Sequence, residues 1–212
     1  TFSLTFGFCA WFLVPSLAPR LNEIGFSLTH SQLYWLVAMV GLSAGTLRIL
    51  WTFLPPILGT RVLVTFSTGL LLIPLFCWVY AVQHVDTPYW VLLGFALLSG
   101  IGGGTFSGLM ASTNYFFPKH ERGFALGVQG GLSDFGTGLV QFVTPLVIGF
   151  SALACLGSGQ VAHLPDGKTI TYWLQNAAWV WIPLVALVTI LSWLFLRSVP
   201  VTANIKQQWA IF

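Results

Sequence analysis

Three side chains in this sequence could act together on a ligand: Arg48, Phe106 and Asp134. Arg48 is the only fully charged residue in the run "QLYWLVAMVGLSAGTLRILWTFLPPIL", residues 32–58. A charge inside such a run costs about 2.5–3.5 kcal/mol on insertion scales. Arginine cannot shed that charge as lysine can. The run therefore predicts a helix whose Arg48 faces a polar interior. A guanidinium offers a planar fork of N–H donors that matches a planar oxyanion. An aromatic face such as that of Phe106 can stack on a flat ion. Asp134 would repel an anion unless it pairs with Arg48, bonds to backbone or carries a proton. A structural contact and a proton-coupling role are both open for it. The chemistry indicated is reversible capture of a small flat anion.

The spacing puts these three residues at one depth. If the apolar runs are helices, Arg48 lies about ten residues, or roughly 15 Å, from the end of its run. Phe106 lies 11 residues before Phe117 in a run of the same direction, and Asp134 lies 11 residues after Gly123 in a run of the opposite direction. One layer near the bilayer middle results if the faces agree. Glycines crowd the same level: Gly100, Gly102, Gly103, Gly104 and Gly108 in one run, Gly127, Gly130, Gly131, Gly136 and Gly138 in the other. Each costs a helix about 1 kcal/mol relative to alanine. Such density fits helices whose backbones touch or a ligand that approaches backbone.

The elements that must carry this layer follow from composition. Only 6% of residues are charged and 56% are hydrophobic, against about 25% charged in soluble domains. The sequence predicts an all-α integral membrane protein with six transmembrane helices at roughly 2–19, 32–58, 62–82, 89–117, 124–154 and 176–197, each near the required length of about 20 residues. The runs lack the two-residue alternation of a transmembrane barrel. The connectors are "PRLNEIGFSLTH", the tight turn "GTR" at 59–61, "QHVDTP", "PKHERG" and "GSGQVAHLPDGKTITYW". Residues 198–212 read as the start of a cytoplasmic linker. Arg61, Lys119, Arg122, Arg197 and Lys206 fall on one side, Arg20 and Lys168 on the other. The positive-inside rule makes the richer side cytoplasmic, with both ends of the chain there. The sequence opens without a Met and is apolar at once, so it reads as starting inside the first span.

Other chemistries find little support. The net charge of +3 is small and scattered, which argues against nucleic acid. Cys9, Cys77 and Cys155 lie in or beside apolar runs without metal-ligand spacing, and His30, His84, His120 and His163 all fall in connectors. No metal and no cofactor is expected. "PDGKT" at 165–169 contains Gly-Lys-Thr, but Ala162 stands where a phosphate loop needs its first glycine; Pro165-Asp166-Gly167 reads as a turn.

The segments "TLRILWTF" and "GGGTFSGLMASTNYFFPKHERGFALGVQGGLSDFGTGLVQFVTPLVIGF" resemble the nitrate/nitrite porter family of the major facilitator superfamily. The likeness extends to "LNEIGFSLTHSQL", "STGLLLIPLFCWVYAVQ", "NAAWVWIPLVAL" and "NIKQQ", and so spans nearly the whole chain. It implies the N-terminal half of a twelve-helix major facilitator fold, with nitrate or nitrite held midway between two six-helix halves. It implies that Arg48 is the substrate-binding arginine and that Phe106 stacks on the anion. It implies further that Gly127, Gly130 and Gly131 line the site, with Gln129 supplying amide chemistry beside them. A second arginine and a tyrosine would come from the other half. Gln129 and Asp134 replace asparagines usual in that signature, Ser133 a glycine and Ser112 an asparagine. The implied activity is secondary transport in a cell inner (plasma) membrane, without enzyme chemistry, with protons as a conceivable co-substrate through Asp134.

Three other readings compete. A major facilitator for another small anion, such as an organic acid, shares every feature named. A six-helix anion channel would need a pore histidine, and all four histidines fall in connectors. A rhomboid-type intramembrane protease would need Gly-x-Ser-Gly, whereas "GTFSG" has one residue too many and the last span has no histidine.

Overall fold

A computed structural model describes residues 1–151, 157–163 and 169–198. Cys155, the Pro165-Asp166-Gly167 turn, Lys168, Lys206 and the linker beyond Ser198 lie outside the described residues. Nine helices form six rods among those that are described. The first is α1 (Phe2–Leu21) and the second α2 (His30–Phe53); α3 (Pro55–Leu70) with α4 (Leu72–Gln83) makes the third. The fourth joins α5 (Tyr89–Ser99) to α6 (Ile101–Thr113), the fifth is α7 (Arg122–Val147), and the sixth joins α8 (Asn176–Trp179) to α9 (Trp181–Phe195). A small antiparallel hairpin, β1 (Gln160–His163) and β2 (Thr169–Tyr172), pairs Gln160 with Tyr172 and His163 with Thr169. It falls in the stretch that hydropathy assigns to a connector.

Five rods are long and apolar enough to cross a membrane. The remaining one, α7, is long enough at 26 residues, about 39 Å at the helical rise. It carries Arg122, Gln129, Ser133, Asp134 and several glycines, which lower its hydropathy. The protein is a multi-pass membrane protein whose spans are all helices.

Local sequence sets the ends of these rods. Thr29 caps α2, its hydroxyl accepting from Gln32 N–H while Gln32 Oε1 accepts from Thr29 N–H at 2.8 Å. That reciprocal box satisfies two orphan donors. Asn22 clasps Leu28 from both sides, donating to its carbonyl at 2.8 Å and accepting its N–H at 3.0 Å. Gly25, at φ +110°, makes the left-handed exit that a side chain would strain. α3 opens on Pro55-Pro56 and is broken at Gly59, φ +70°, where the chain kinks before the long part of the third rod. The fourth rod ends at Thr113 and α7 at Val147, earlier than the runs 89–117 and 124–154 read from hydropathy. Asn114–Phe117 turn out of the helix despite their aromatics.

The core is apolar, and so is the outside. Leu4, Leu13, Leu17 and Leu21 of α1 are wholly buried, because α1 packs against α7, α6, α2 and α9. Leu42, Ile49 and Leu50 of α2 and Leu187, Ile190 and Leu194 of α9 are exposed. Apolar residues on both faces suit helices solvated by lipid rather than water. Two buried indoles find partners inside: Trp78 Nε1 donates to Ser99 Oγ at 3.0 Å and Trp51 Nε1 to Ser67 Oγ at 2.8 Å. One end of the bundle gathers Thr1, Arg61, Phe116, Phe124 and Leu196. Arg61 is locked there: its Nε donates to Trp193 O at 2.7 Å and its guanidinium lies 4.4 Å from the Trp193 ring centroid.

Candidate anion-binding site

The site is built where α2 meets α6. Glycine lets the two backbones approach. A methyl group at Gly100 would lie 2.5 Å from Ser43 Cβ, at Gly103 2.8 Å from Ala44 Cβ, and at Gly104 2.6 Å from Leu47 Cβ. At Gly108 it would meet Trp51 O at 2.7 Å. Carbon atoms ordinarily rest about 3.5–4.0 Å apart, so no larger residue fits this seam unchanged. Two hydroxyls then cross it. Ser43 Oγ donates to Leu97 O at 2.6 Å, and Ser107 Oγ donates to Arg48 O at 2.7 Å.

This seam brings Arg48 to Phe106. The half-buried guanidinium has its Cζ 5.1 Å from the Phe106 ring centroid, and Nε donates to Gly103 O at 3.2 Å. A cation over an aromatic face is attracted by the ring quadrupole. The Nη donors make no hydrogen bond to the described residues. They form the unsatisfied fork that a planar anion would take. Helix α1 adds a second aromatic wall. Arg48 Cζ lies 6.0 Å from the Trp11 ring, Trp11 packs edge-on against Phe8 at 5.4 Å, and Phe8 stacks on Phe106 at 5.7 Å. Nothing in the sequence singles out Phe8 or Trp11. Their three-residue spacing on α1 puts them on one helical face, but core aromatics show the same spacing.

The other expected residues lie elsewhere. Asp134 is exposed on α7 and makes no ion pair with Arg48; its backbone carbonyl accepts from Thr137 Oγ1 at 2.7 Å. Of the alternatives left open for Asp134, an ion pair with Arg48 is absent among the described residues. Gln129 is buried at 6% exposure and faces α6, where its Oε1 accepts from Thr113 Oγ1 and its Nε2 donates to Leu109 O at 3.4 Å. Thr113 is seven residues past Phe106, about 10 Å along the helix, so Gln129 does not join Arg48. It lines instead a ≈ 710 Å³ groove at the end of the bundle near Thr1. Gly127 and Gly131 have no atom within 4 Å of where a side chain would begin, and Gly130 meets only Met110 Cε at 3.7 Å. Gly127, Gly131, Asp134 and Gly138 make an open stripe on α7. Gly136, by contrast, is pressed against Thr5 O of α1, and Cys9 Sγ donates to Gly136 O at 3.3 Å. The α6 glycines and Gly136 thus serve helix packing, while Gly127 and Gly131 face outward and Gly130 is turned part-way towards Met110 of α6.

Six apolar rods around an arginine at a glycine seam are consistent with many carriers. The decisive observation is a match to the sequence profile of the Major Facilitator Superfamily over residues 1–211. The chain belongs to that superfamily. This major facilitator chain is 56% identical over 213 residues to the probable nitrate/nitrite antiporter NarK2 of Thermus thermophilus, covering 100% of itself and 48% of that protein. It is 40% identical over 190 residues to the nitrate/nitrite transporter NarU of Escherichia coli K12, covering 90% of itself and 40% of that protein. It is 32% identical over 149 residues to the probable nitrate transporter NarT of Staphylococcus carnosus, covering 70% and 37%. The chain spans about half the length of the curated relatives it matches, and it corresponds to their N-terminal part. These relatives are transporters and not enzymes. The resemblance read from the glycine-rich segments is thereby borne out at the level of the family.

Proposed function

We propose that this chain forms one half of a secondary transporter that moves nitrate, nitrite or both across a cell inner (plasma) membrane by alternating access. Arg48 binds the anion through its Nη donors, and Phe106 supplies an aromatic face beside it. The second half completes the cavity and contributes further cationic and aromatic groups. The stripe of Gly127, Gly131, Asp134 and Gly138 faces that cavity, where Asp134 bears on proton coupling. Both ends of the chain are cytoplasmic, on the side of Arg61, Lys119, Arg122 and Arg197. The single observation that carries this reading is the guanidinium held by Gly103 O against Phe106 with its outer donors unspent. The names of the relatives support the choice of ion.

Nitrate and nitrite uptake by proteoliposomes holding the full-length transporter tests it. Arg48→Lys keeps the charge and removes the fork, and uptake should fall at least about tenfold. Normal transport by Arg48→Lys would end the bidentate argument. The same fork also accepts carboxylates. Competition by small organic acids therefore decides between the two substrate classes: nitrate and nitrite should compete with the labelled ion and organic acids should not.

A further inference from the structure

Arg48 is tied to α6 at two points, one on its side chain and one on its main chain. Its Nε donates to Gly103 O at 3.2 Å, and its backbone carbonyl accepts from Ser107 Oγ at 2.7 Å. Gly103 and Ser107 are one helical turn apart, about 6 Å along α6. Ser107 also follows Phe106 directly in sequence. Its bond therefore joins the backbone that carries the cation to the backbone that carries the ring. The Arg48 carbonyl does not depend on this bond for a partner, because Thr52 Oγ1 of α2 donates to the same oxygen at 2.7 Å. The other acceptor within reach of the Ser107 hydroxyl, Gly104 O, lies farther off at 3.4 Å. Losing the hydroxyl thus leaves the Arg48 carbonyl with a partner, so the costly outcome of an orphaned acceptor is avoided. What is lost is the link between helices. The α6 glycines set how near the two backbones come, but they send no side-chain donor across the seam.

We infer that Ser107 is a positioning residue for anion binding: by tying the main chain of Arg48 to α6, it sets where the guanidinium stands relative to Phe106. This inference rests on the anion-site reading above. A slip of about 1 Å between α2 and α6 would carry the 3.2 Å Nε bond beyond hydrogen-bond range. The Ser107 bond opposes that slip at the residue where it matters. Without it the anion must draw the arginine into place on binding, and that ordering is taken from its affinity. The loaded carrier, once formed, is the same. The loss therefore falls on KM and spares the maximal rate.

The test uses the full-length transporter in proteoliposomes, with labelled nitrate uptake and melting curves of the same preparations. Ser107→Ala should raise the nitrate KM about fivefold, the worth of one net hydrogen bond, and change the maximal rate less than about twofold. Ser107→Cys keeps the size and weakens the donor, and should raise KM about twofold. It carries the test alone if the alanine protein does not fold. Ser43→Ala is the matched comparison. It removes the other hydroxyl that crosses the seam, whose bond to Leu97 O at 2.6 Å does not touch Arg48. It should lower the melting temperature about as much as Ser107→Ala and leave KM near the wild-type value. Wild-type KM in the Ser107 variants overturns the inference. An equal KM rise in Ser43→Ala also overturns it, since any loosening of the seam would then do the same. The two readings fail separately. If Arg48→Lys transports nitrate with unaltered KM, the anion site itself is wrong. If Arg48→Lys abolishes uptake while the Ser107 variants keep wild-type KM, only the role of Ser107 is wrong.

Discussion

Gly104→Ala is the sharpest perturbation of the α2–α6 seam. The new methyl carbon would start 2.6 Å from Leu47 Cβ and 3.5 Å from Leu47 C. Carbon–carbon contacts rest at about 3.5–4.0 Å, so the helices must separate by about 1 Å. Leu47 sits on α2 backbone packed tightly against α6, so the neighbour cannot swing away as a long side chain would. Overpacking of this kind costs about 1–3 kcal/mol. Alanine returns about 1 kcal/mol of helix propensity, leaving a net destabilisation of up to about 2 kcal/mol. Arg48 follows Leu47 in sequence and moves with it. Its Nε–Gly103 O bond, 3.2 Å in the structure, would stretch past useful hydrogen-bond length. The protein should therefore melt earlier and show a raised nitrate KM. Gly131→Ala is the control, because no atom lies within 4 Å of its position; thermal stability of the six-helix unit should hold or rise slightly. Melting curves of purified full-length protein and uptake kinetics report both quantities. A Gly104→Ala protein with unchanged melting temperature and unchanged KM would refute the argument that glycine sets the distance between Arg48 and Phe106.

Two further outcomes follow from where the polar residues of α7 point. Gln129→Leu removes the bonds to Thr113 and Leu109 O and should cost about 1 kcal/mol of stability with nitrate KM unchanged, since the amide is turned away from Arg48; a large KM increase at wild-type stability would contradict that placement. Asp134→Asn removes an exposed carboxylate, so thermal stability should not change, whereas the pH dependence of uptake should flatten; an unaltered pH profile would remove Asp134 from the coupling scheme.

Charge scarcity makes Arg48 legible in the sequence. In an apolar run, one arginine is a large energetic signal, and the recurrence of glycine at 100, 104 and 108 marks the face that must be close to it. The meeting of Arg48 with Phe106 follows from those two facts. The placement of α7 is less legible. At about 100° per residue, Gln129 and Asp134 lie about 140° apart on the helix, so they cannot serve one small site together. Gln129, Ser133, Gly136 and Val140 take the buried face, and Asp134 falls with Gly127, Gly131 and Gly138 on the open one. The depth count puts Asp134 level with Arg48 and carries no information about facing. Trp11 is hidden for another reason: an aromatic on a buried apolar helix has the same sequence signature whether it fills space or faces a cation. The β1–β2 hairpin is short and mostly polar, which hydropathy reads as loop.

The cost of Arg48 also explains the form of its surroundings. A guanidinium removed from water must recover interactions for five N–H donors, yet a site that satisfied all of them would have nothing left for a ligand. The structure satisfies one donor with Gly103 O and covers the cation with the electron-rich faces of Phe106 and Trp11. Aromatic faces stabilise a charge without supplying acceptors, so they reduce the cost of burial while leaving the Nη donors unspent. A carboxylate in the same place would stabilise the cation more but would compete with the anion for the same donors. Keeping Asp134 off Arg48, on the open stripe of α7, avoids that competition within this half. In the proposed anion site, keeping Asp134 off Arg48 is thus a requirement of binding around a permanent cation, and a Phe106→Glu variant should lose anion binding even while the helices remain folded.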